Sequence, residues 1–502
     1  MKNVFKYIMG AALVLGMAAC DLQKNPISDF SELTISSQDT TGQTVKYKDR
    51  ASMYAVYENL YKTMIDRQEH WFCDYLLYGE SRTDNAYAGT TGAEVEPVET
   101  NTLDASISGI KRDWDRYLED IAKANVIIFN IDSVPDPAFD KAERAQWKAE
   151  AKIFRALMLF DFAHFFGNVP LFLEEAPGIT SENVAEVYPL YFPKAHTQKE
   201  AYEQCITDLK EALKYAPDLN KGDKTRLSKT VARALLAKLY AEAPVCNWDS
   251  CRTYCQAVED DGIKLTANYS DLFGFDTELG DATMRNTSEA ILEIHYFSGA
   301  GNWCTWMFGR NLSNWDESFS WAKWITPSEN LINDFLAEGD EIRLNETVVY
   351  YDCSWSNYYP ADHYPFMYKC RSGYNSIIKL RGADILLLKA EAYAHLDRPD
   401  DAVKCVNEVR HRVNLPDLTS DKYASTEALL DAILHERRLE LALEGQRLFD
   451  LIRFEKLEEV MNNLKDPRRL PLARQFTKDH YLLPIPQSAI DQNNNLVQNP
   501  GY

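Results

Sequence analysis

Three glutamates near the end of the chain, Glu436, Glu440 and Glu444, stand in one i,i+4 row, with Arg437, Arg438, Arg447 and Arg453 close by. Two carboxylates about 5–10 Å apart in a cleft are the equipment of glycoside hydrolysis, one of them supplying a proton. Here the neighbouring guanidiniums would hold Glu436 and Glu440 ionised, leaving no general acid. Like charges at that spacing cost a helix roughly 0.2–0.5 kcal/mol per pair unless cations neutralise them, so the row reads as a partly buried set of ion pairs. The chain contains no HExxH, GxSxG or Walker A pattern, and His435 beside Glu436 reads as a surface residue. Asp249, Asp260, Asp261 and Asp340 lack the spacing of a calcium loop. No catalytic residue, cofactor or metal centre is expected, with a structural ion left open; the chain reads as a binding protein rather than an enzyme.

The other chemistry on offer is recognition of sugars. Sugar rings lay apolar C–H faces on Trp and Tyr, while their hydroxyls bond to Asn, Asp, Gln and Arg; aromatic rings supply that area at low conformational cost. Two stretches have the mixture. The first holds Trp71, Tyr75, Tyr78, Arg82, Asp84, Asn85 and Tyr87. Trp71 and Tyr75 could sit in a helix core, whereas Tyr87 precedes a Gly/Thr-rich loop and is the better candidate. The second runs from Tyr296 through Trp303, Trp306, Arg310, Asn311, Asn314, Trp315 and Trp321 to Trp324. Five Trp in a Gly/Asn/Ser-rich region are too many for core alone, and two or three are expected to face a ligand.

Helices must position these groups. Apolar residues at three- and four-residue steps predict helices over Ala51–Ile65, Lys111–Phe129, Lys141–Phe166, Glu200–Ala216, Leu227–Ala243, Ile378–Leu396, Pro399–Val413 and Leu429–Phe454. Gly445 offers the last of these either a stop or a close backbone approach. Several pair at about the ~34-residue tetratricopeptide length. The fold class is therefore mainly α: a tetratricopeptide-like helical scaffold with a loop-rich, aromatic binding region packed on it. Residues 268–376 are irregular, with β-like runs at Ala290–Tyr296 and Thr347–Tyr351. From Tyr481 to Tyr502 three Pro and an Asn run exclude helix through most of the segment.

The chain has 502 residues and a net charge of −22. That acidity argues against nucleic acid and mildly against sulfated or uronic-acid-rich ligands. Lys2 and Lys6 precede an apolar run ending Met17-Ala18-Ala19-Cys20, the pattern of a secretory signal. A Cys at that point resembles a bacterial lipobox, which makes Cys20 the lipidated first residue of the mature chain. Nine further Cys are widely scattered and read as mostly buried thiols with one optional disulfide.

The row Glu436-Arg437-Arg438, Glu440-Leu441-Ala442, Glu444-Gly445, Arg447, Phe449-Asp450-Leu451 and Arg453 resembles the C-terminal signature of the SusD/RagB family of nutrient-binding surface lipoproteins. Glu150, Arg155-Ala156, Phe160-Asp161, Phe165-Phe166-Gly167 and Val169-Pro170-Leu171 match the same family, as do Leu482 to Pro486, Ile490, Asn495 and Gln498 to Tyr502. The resemblance divides the chain into a signal (1–19), a polar tether (20–48), an N-terminal helical-repeat region (49–267) and a C-terminal region (268–502). The last comprises a binding insert (268–376), a helical part (377–460) and an extended tail (481–502). It also implies a SusC-like TonB-dependent outer-membrane transporter as partner, a captured oligosaccharide as ligand, and a lipid anchor exposing the protein at the cell surface. Trp324 to Pro327 and Leu331 to Phe335 resemble a segment that follows the family's ligand-facing loop, which favours Trp315 and Trp321 over Trp324. An oligopeptide ligand, or an anchored adaptor without small ligand, is the alternative.

Overall fold

The computed structural model describes residues 46–89, 94–276, 278, 281–297, 299–308, 324–353, 356 and 358–502. Helix α1, Arg50–Asp66, is started by a reciprocal cap in which Asp49 accepts from Ser52 N–H and Ser52 Oγ accepts from Asp49 N–H. A π-turn, Glu69–Cys73, leads into α2, Asp74–Ser81. Next come α3, Ser108–Asn130, and α4, Lys141–Phe166, the latter with the predicted bounds. After these follow α5, Gln198–Ala212, α6, Lys229–Leu239, and α7, Trp248–Asp260. The C-terminal part adds α8, Glu329–Glu338, α9, Glu341–Thr347, α10, Gly382–His395, α11, Pro399–Arg412, α12, Thr426–Glu440, and α13, Arg447–Arg453.

Neighbours in sequence pack in space: α3 on α4, α4 on α5, α6 on α7 and α10 on α11, with α7 against α10 joining the two series. This is the tetratricopeptide-like stacking of helix pairs. The seam between α3 and α4 is aromatic, with Trp114 edge-on to Phe162 at 4.8 Å and Tyr117 stacked on the same ring at 5.4 Å. Small residues let α6 nest among its neighbours: Ala232, Ala234 and Ala237 are fully buried.

Two predicted helices are divided in the structure. Ile377–Arg381 is a strand, antiparallel to Ala290–Ile294, and α10 begins only at Gly382. Its β-branched, alternating start takes the free edge of the other strand in preference to an extra helical turn. Leu429–Phe454 splits between α12 and α13, because Leu443 and Gly445 take φ of 60° and 81°. Of the two readings of Gly445 the close backbone approach holds, since it touches α2; the stop lies earlier, with α12 ending at Glu440 and Leu441 as its cap. A Cβ on Gly79 would lie 2.4 Å from the Gly445 carbonyl oxygen, backbone against backbone. Gly79→Ala is expected to cost about 1–3 kcal/mol by overpacking, read as a lower melting temperature.

A candidate glycan cleft and an interior ion lattice

The glutamate row is more deeply enclosed than its spacing suggested. Glu436, Glu440, Arg437 and Arg438 are buried, and the cations facing the glutamates come from distant segments. Glu436 accepts from Arg343 (2.6 Å) and Arg410 (2.8 Å). Glu440 accepts from Arg381 (2.6 Å) and Arg343 (3.3 Å) and pairs with Arg412. Glu444 is held by Lys369 (2.6 Å) and Arg381 (2.7 Å). Burial pushes the Glu440 carboxyl up, but Arg412, Arg381 and Arg343 overcome it and hold the group below its ordinary range. The expectation that arginines adjacent in sequence serve this row is corrected. Arg437 pairs instead with Asp384 (2.7 Å) and Asp450 (2.9 Å). Arg447 clasps Asp84 with two bonds of 2.9 Å.

That last contact decides the first aromatic stretch. Asp84 is buried between Arg447 and Arg438, whose charges outweigh its desolvation and keep it ionised. Asn85 donates to Glu80 (2.9 Å) and accepts from Arg438 (2.8 Å). Arg82 is wholly enclosed and donates to the carbonyls of His480 and Tyr481. Tyr87 stacks on Tyr358 at 4.9 Å and donates to Asp466 (2.6 Å). Trp71 donates its indole N–H to Asp120 (3.1 Å), and Tyr296 directs its hydroxyl at the Ile65 carbonyl (3.4 Å). Trp71, Tyr87 and Tyr296 have no exposed surface. As ligand platforms Trp71, Arg82, Asp84, Tyr87 and Tyr296 are therefore corrected: all five are buried and bonded to interior partners, and through Asp84 the early segment is tied to α12 and α13.

Of the second stretch, Asn311, Trp315 and Trp321, with Arg310 and Asn314, lie outside the described residues, as do Cys20 and the signal before it. The side chain of Trp306 is outside the description too, although its backbone belongs to the short helix Cys304–Met307. Trp324 is half-buried against the core. Trp303 is different. It is 38% exposed, and the loop carrying it is fixed. Phe297 and Ala300 exchange backbone bonds, Asn302 N–H donates to Gly373 (2.6 Å), and Trp303 N–H donates to the Gln68 side chain (2.8 Å). Phe297, on the same loop, is 52% exposed.

Phe297 also lines a cavity of about 1000 Å³ between α1, α3, the 223–226 turn and the end of the 290–294 strand. Its walls alternate apolar faces (Tyr47, Val56, Ile65, Val126, Ile294) with hydrogen-bonding groups (Asn59, Lys62, Lys123, Asp223, Arg226, His295). Arg226 lies 4.1 Å above the Tyr61 ring and pairs with Glu58 at 3.2 Å. Burial pushes the Asp223 carboxyl up, but hydrogen bonds from Thr225 prevail and hold it below its usual range. A second cavity of about 350 Å³ shares Glu58, Asp223 and Arg226 and adds Tyr54, Tyr57 and Trp147. Ring faces beside charged and amide groups in a cleft of this size suit a short polyhydroxylated ligand. Sequence reasoning missed this wall: a lone polar turn at Lys221–Arg226 carries no motif, and only folding brings it against α1. Of the nine described Cys, eight are buried. Among the described residues no cluster of His, Cys, Asp and Glu is arranged to hold a metal ion, and no helix is long and apolar enough to cross a membrane.

Two family models match separate parts of the chain. One, described as the SusD family, covers residues 367–502; the other, described as starch-binding associating with outer membrane, covers residues 33–241. SusD-like protein P38 of Formosa agariphila is 25% identical over 496 residues, spanning 90% of this chain and 91% of that one. Among solved structures, a SusD superfamily protein from Bacteroides vulgatus superposes with a TM-score of 0.72 at 19% identity, covering 91% of this chain and all of that one. A laminarin-binding SusD-like protein gives 0.69 at 22% identity, with coverage of 91% and 100%.

Proposed function

We propose, because the chain belongs to the SusD/RagB family, that it captures oligosaccharides at the outer membrane and hands them to a SusC-like TonB-dependent transporter. The observation that carries this reading is the 1000 Å³ cleft, which brings ring faces and hydrogen-bonding side chains together and is lined by exposed Phe297, with exposed Trp303 six residues further along the chain. The cleft has groups to hold a sugar. Hydrogen bonds from Thr225 outweigh burial and favour an ionised Asp223, an acceptor for sugar hydroxyls. A lipid on Cys20 would keep the cleft at the membrane where the transporter lies, and an intact mass showing no acyl group on the mature chain would remove that anchor.

The test is a glycan array probed with the soluble chain lacking residues 1–20, with laminarin and starch oligosaccharides included. Changing Phe297 and Trp303 to Ala together is expected to weaken the binding found by about tenfold or more, since each ring contributes contact area and orientation. The melting temperature should stay unchanged, because both rings are exposed. Unchanged affinity would move the site elsewhere. Binding of peptides with no binding of any glycan would replace the ligand class.

A further inference from the structure

Three segments far apart in the sequence meet at the turn that carries Trp303, and each brings a cysteine. The first is the π-turn Glu69–Cys73. Just before it, Gln68 donates to the Gly301 carbonyl (3.0 Å) and accepts from Trp303 N–H (2.8 Å). The second is the turn itself, where the short helix Cys304–Met307 begins. The third is residues 370–375, which follow the strand Tyr364–Met367. Asn302 binds this segment twice, its N–H donating to the Gly373 carbonyl (2.6 Å) and its side-chain amide to the Asn375 carbonyl (2.7 Å). The segment is itself shaped by Asn375 Oδ1, which accepts from the N–H groups of Arg371 (2.9 Å) and Ser372 (2.7 Å).

Cys73, Cys304 and Cys370 are buried together in the main apolar core. The Cys304 and Cys370 thiols are in hydrogen-bonding contact, and Cys73 lies close to both. Another thiol pair, Cys251 and Cys255, sits one turn apart on α7, where a bond would join nothing that the helix does not already hold. Cys304 and Cys370 are 66 positions apart, and a crosslink closing so long a loop restricts the unfolded chain strongly. Burial and the neighbouring thiols push the Cys304 thiol well above its usual range, so it is a poor nucleophile once enclosed. A bond between the two therefore forms while the chain is still open. Association with the outer membrane takes the chain through the periplasm, where disulfides form and persist.

We infer that Cys304 and Cys370 are joined by a disulfide in the exported protein, a covalent clip that fixes the backbone at Trp303 to the 370–375 segment. The structure holds the reduced form. The inference rests on the outer-membrane reading above and is independent of which ligand the cleft takes. In the first step the Cys304 thiolate attacks the disulfide of an oxidised thiol-oxidase protein, forming a mixed disulfide and releasing one thiolate of that oxidase. The Cys370 thiolate then attacks the Cys304 sulfur, forming the Sγ–Sγ bond and releasing the second. The chain loses two electrons and two protons, and the oxidase gains both as a dithiol. Cys73 stays a thiol.

The experiment alkylates the full chain in its own cells at the moment of denaturation, without reductant, and maps the digested protein by mass spectrometry. The expected result is a linked pair of peptides carrying Cys304 and Cys370, two hydrogens lighter than their sum, with Cys73 alkylated. Alkylation of both Cys304 and Cys370 overturns the inference, and so does a linkage of either to Cys73. The oxidised protein should also melt about 3–5 °C higher than the reduced wild type or the variant carrying Cys304→Ser and Cys370→Ser. Its amides at 301–304 should exchange hydrogen at least about tenfold more slowly. Equal melting and equal exchange in the linked and reduced wild type would overturn the clip even with the bond present. None of these readouts depends on glycan binding.

Discussion

Changing Glu440 to Ala is expected to destabilise the protein by about 3–5 kcal/mol, the cost of leaving buried charge without its partner. Glu440 has no exposed surface and answers Arg343, Arg381 and Arg412 at once. Arg381 and Arg412 also pair with Glu289, and Arg343 with Asp340 and Glu436, so one deletion unbalances a lattice that ties α9, α11 and α12 to the strand at Ile377–Arg381. The lattice does not exceed a well-packed apolar core in stability, because its groups had to be desolvated first. Its contribution is register: α12 seats only where three separate segments present their guanidiniums. Urea unfolding of Glu440→Ala and of the milder Glu440→Gln checks this, the glutamine variant keeping hydrogen bonds while losing the charge. A loss below about 1 kcal/mol in the alanine variant would mean the site relaxes or admits water.

The second large effect is acid lability through Asp84. Its folded carboxyl sits below the ordinary aspartate value because Arg438 and Arg447 outweigh the penalty of burial. A group whose pKa is depressed on folding stabilises fully above its unfolded value, about 3.9, and loses that contribution as pH falls toward the folded one. Asp384, between Lys238 and Arg437, and Glu440 add to the slope in the same sense. The melting temperature should therefore fall steeply from about pH 5 to pH 3, and Asp84→Asn should flatten part of that fall. At neutral pH the same variant is expected to lose about 2–4 kcal/mol, since two buried arginines then face a neutral amide. Glu80 acts with the opposite sign. Burial raises its carboxyl to about 7, so its contribution is present at acid pH and drains as pH climbs through 7. Stability should peak between the two limbs, and thermal melts across pH 3–9 would show whether it does.

The C-terminal signature and the early run Ser81 to Tyr87 carried the densest pattern in the sequence, and the structure joins them. Asp84 meets Arg438 and Arg447, and the Gly445 N–H donates to Glu80 at 2.5 Å. The sequence by itself determined the helical framework, the resemblance to the SusD/RagB family and the ion-pair character of the glutamate row, because periodicity, motif and charge spacing are local properties. Long-range pairing decided the rest. A residue type says that Arg82 or Tyr87 can bind a sugar, yet the same guanidinium and phenol satisfy buried carbonyls and carboxylates equally well. Only the tertiary structure shows that His480, Tyr481 and Asp466 arrive to claim them. Trp303 escapes because Gln68 and Gly373 hold its backbone at the surface, and the turn at Asp223 joins the cleft because folding sets it against α1. Which aromatics lie in the core and which face solvent depends on what packs against each one, and those partners lie from about fifty residues away, as for Trp71, to several hundred, as for Tyr87.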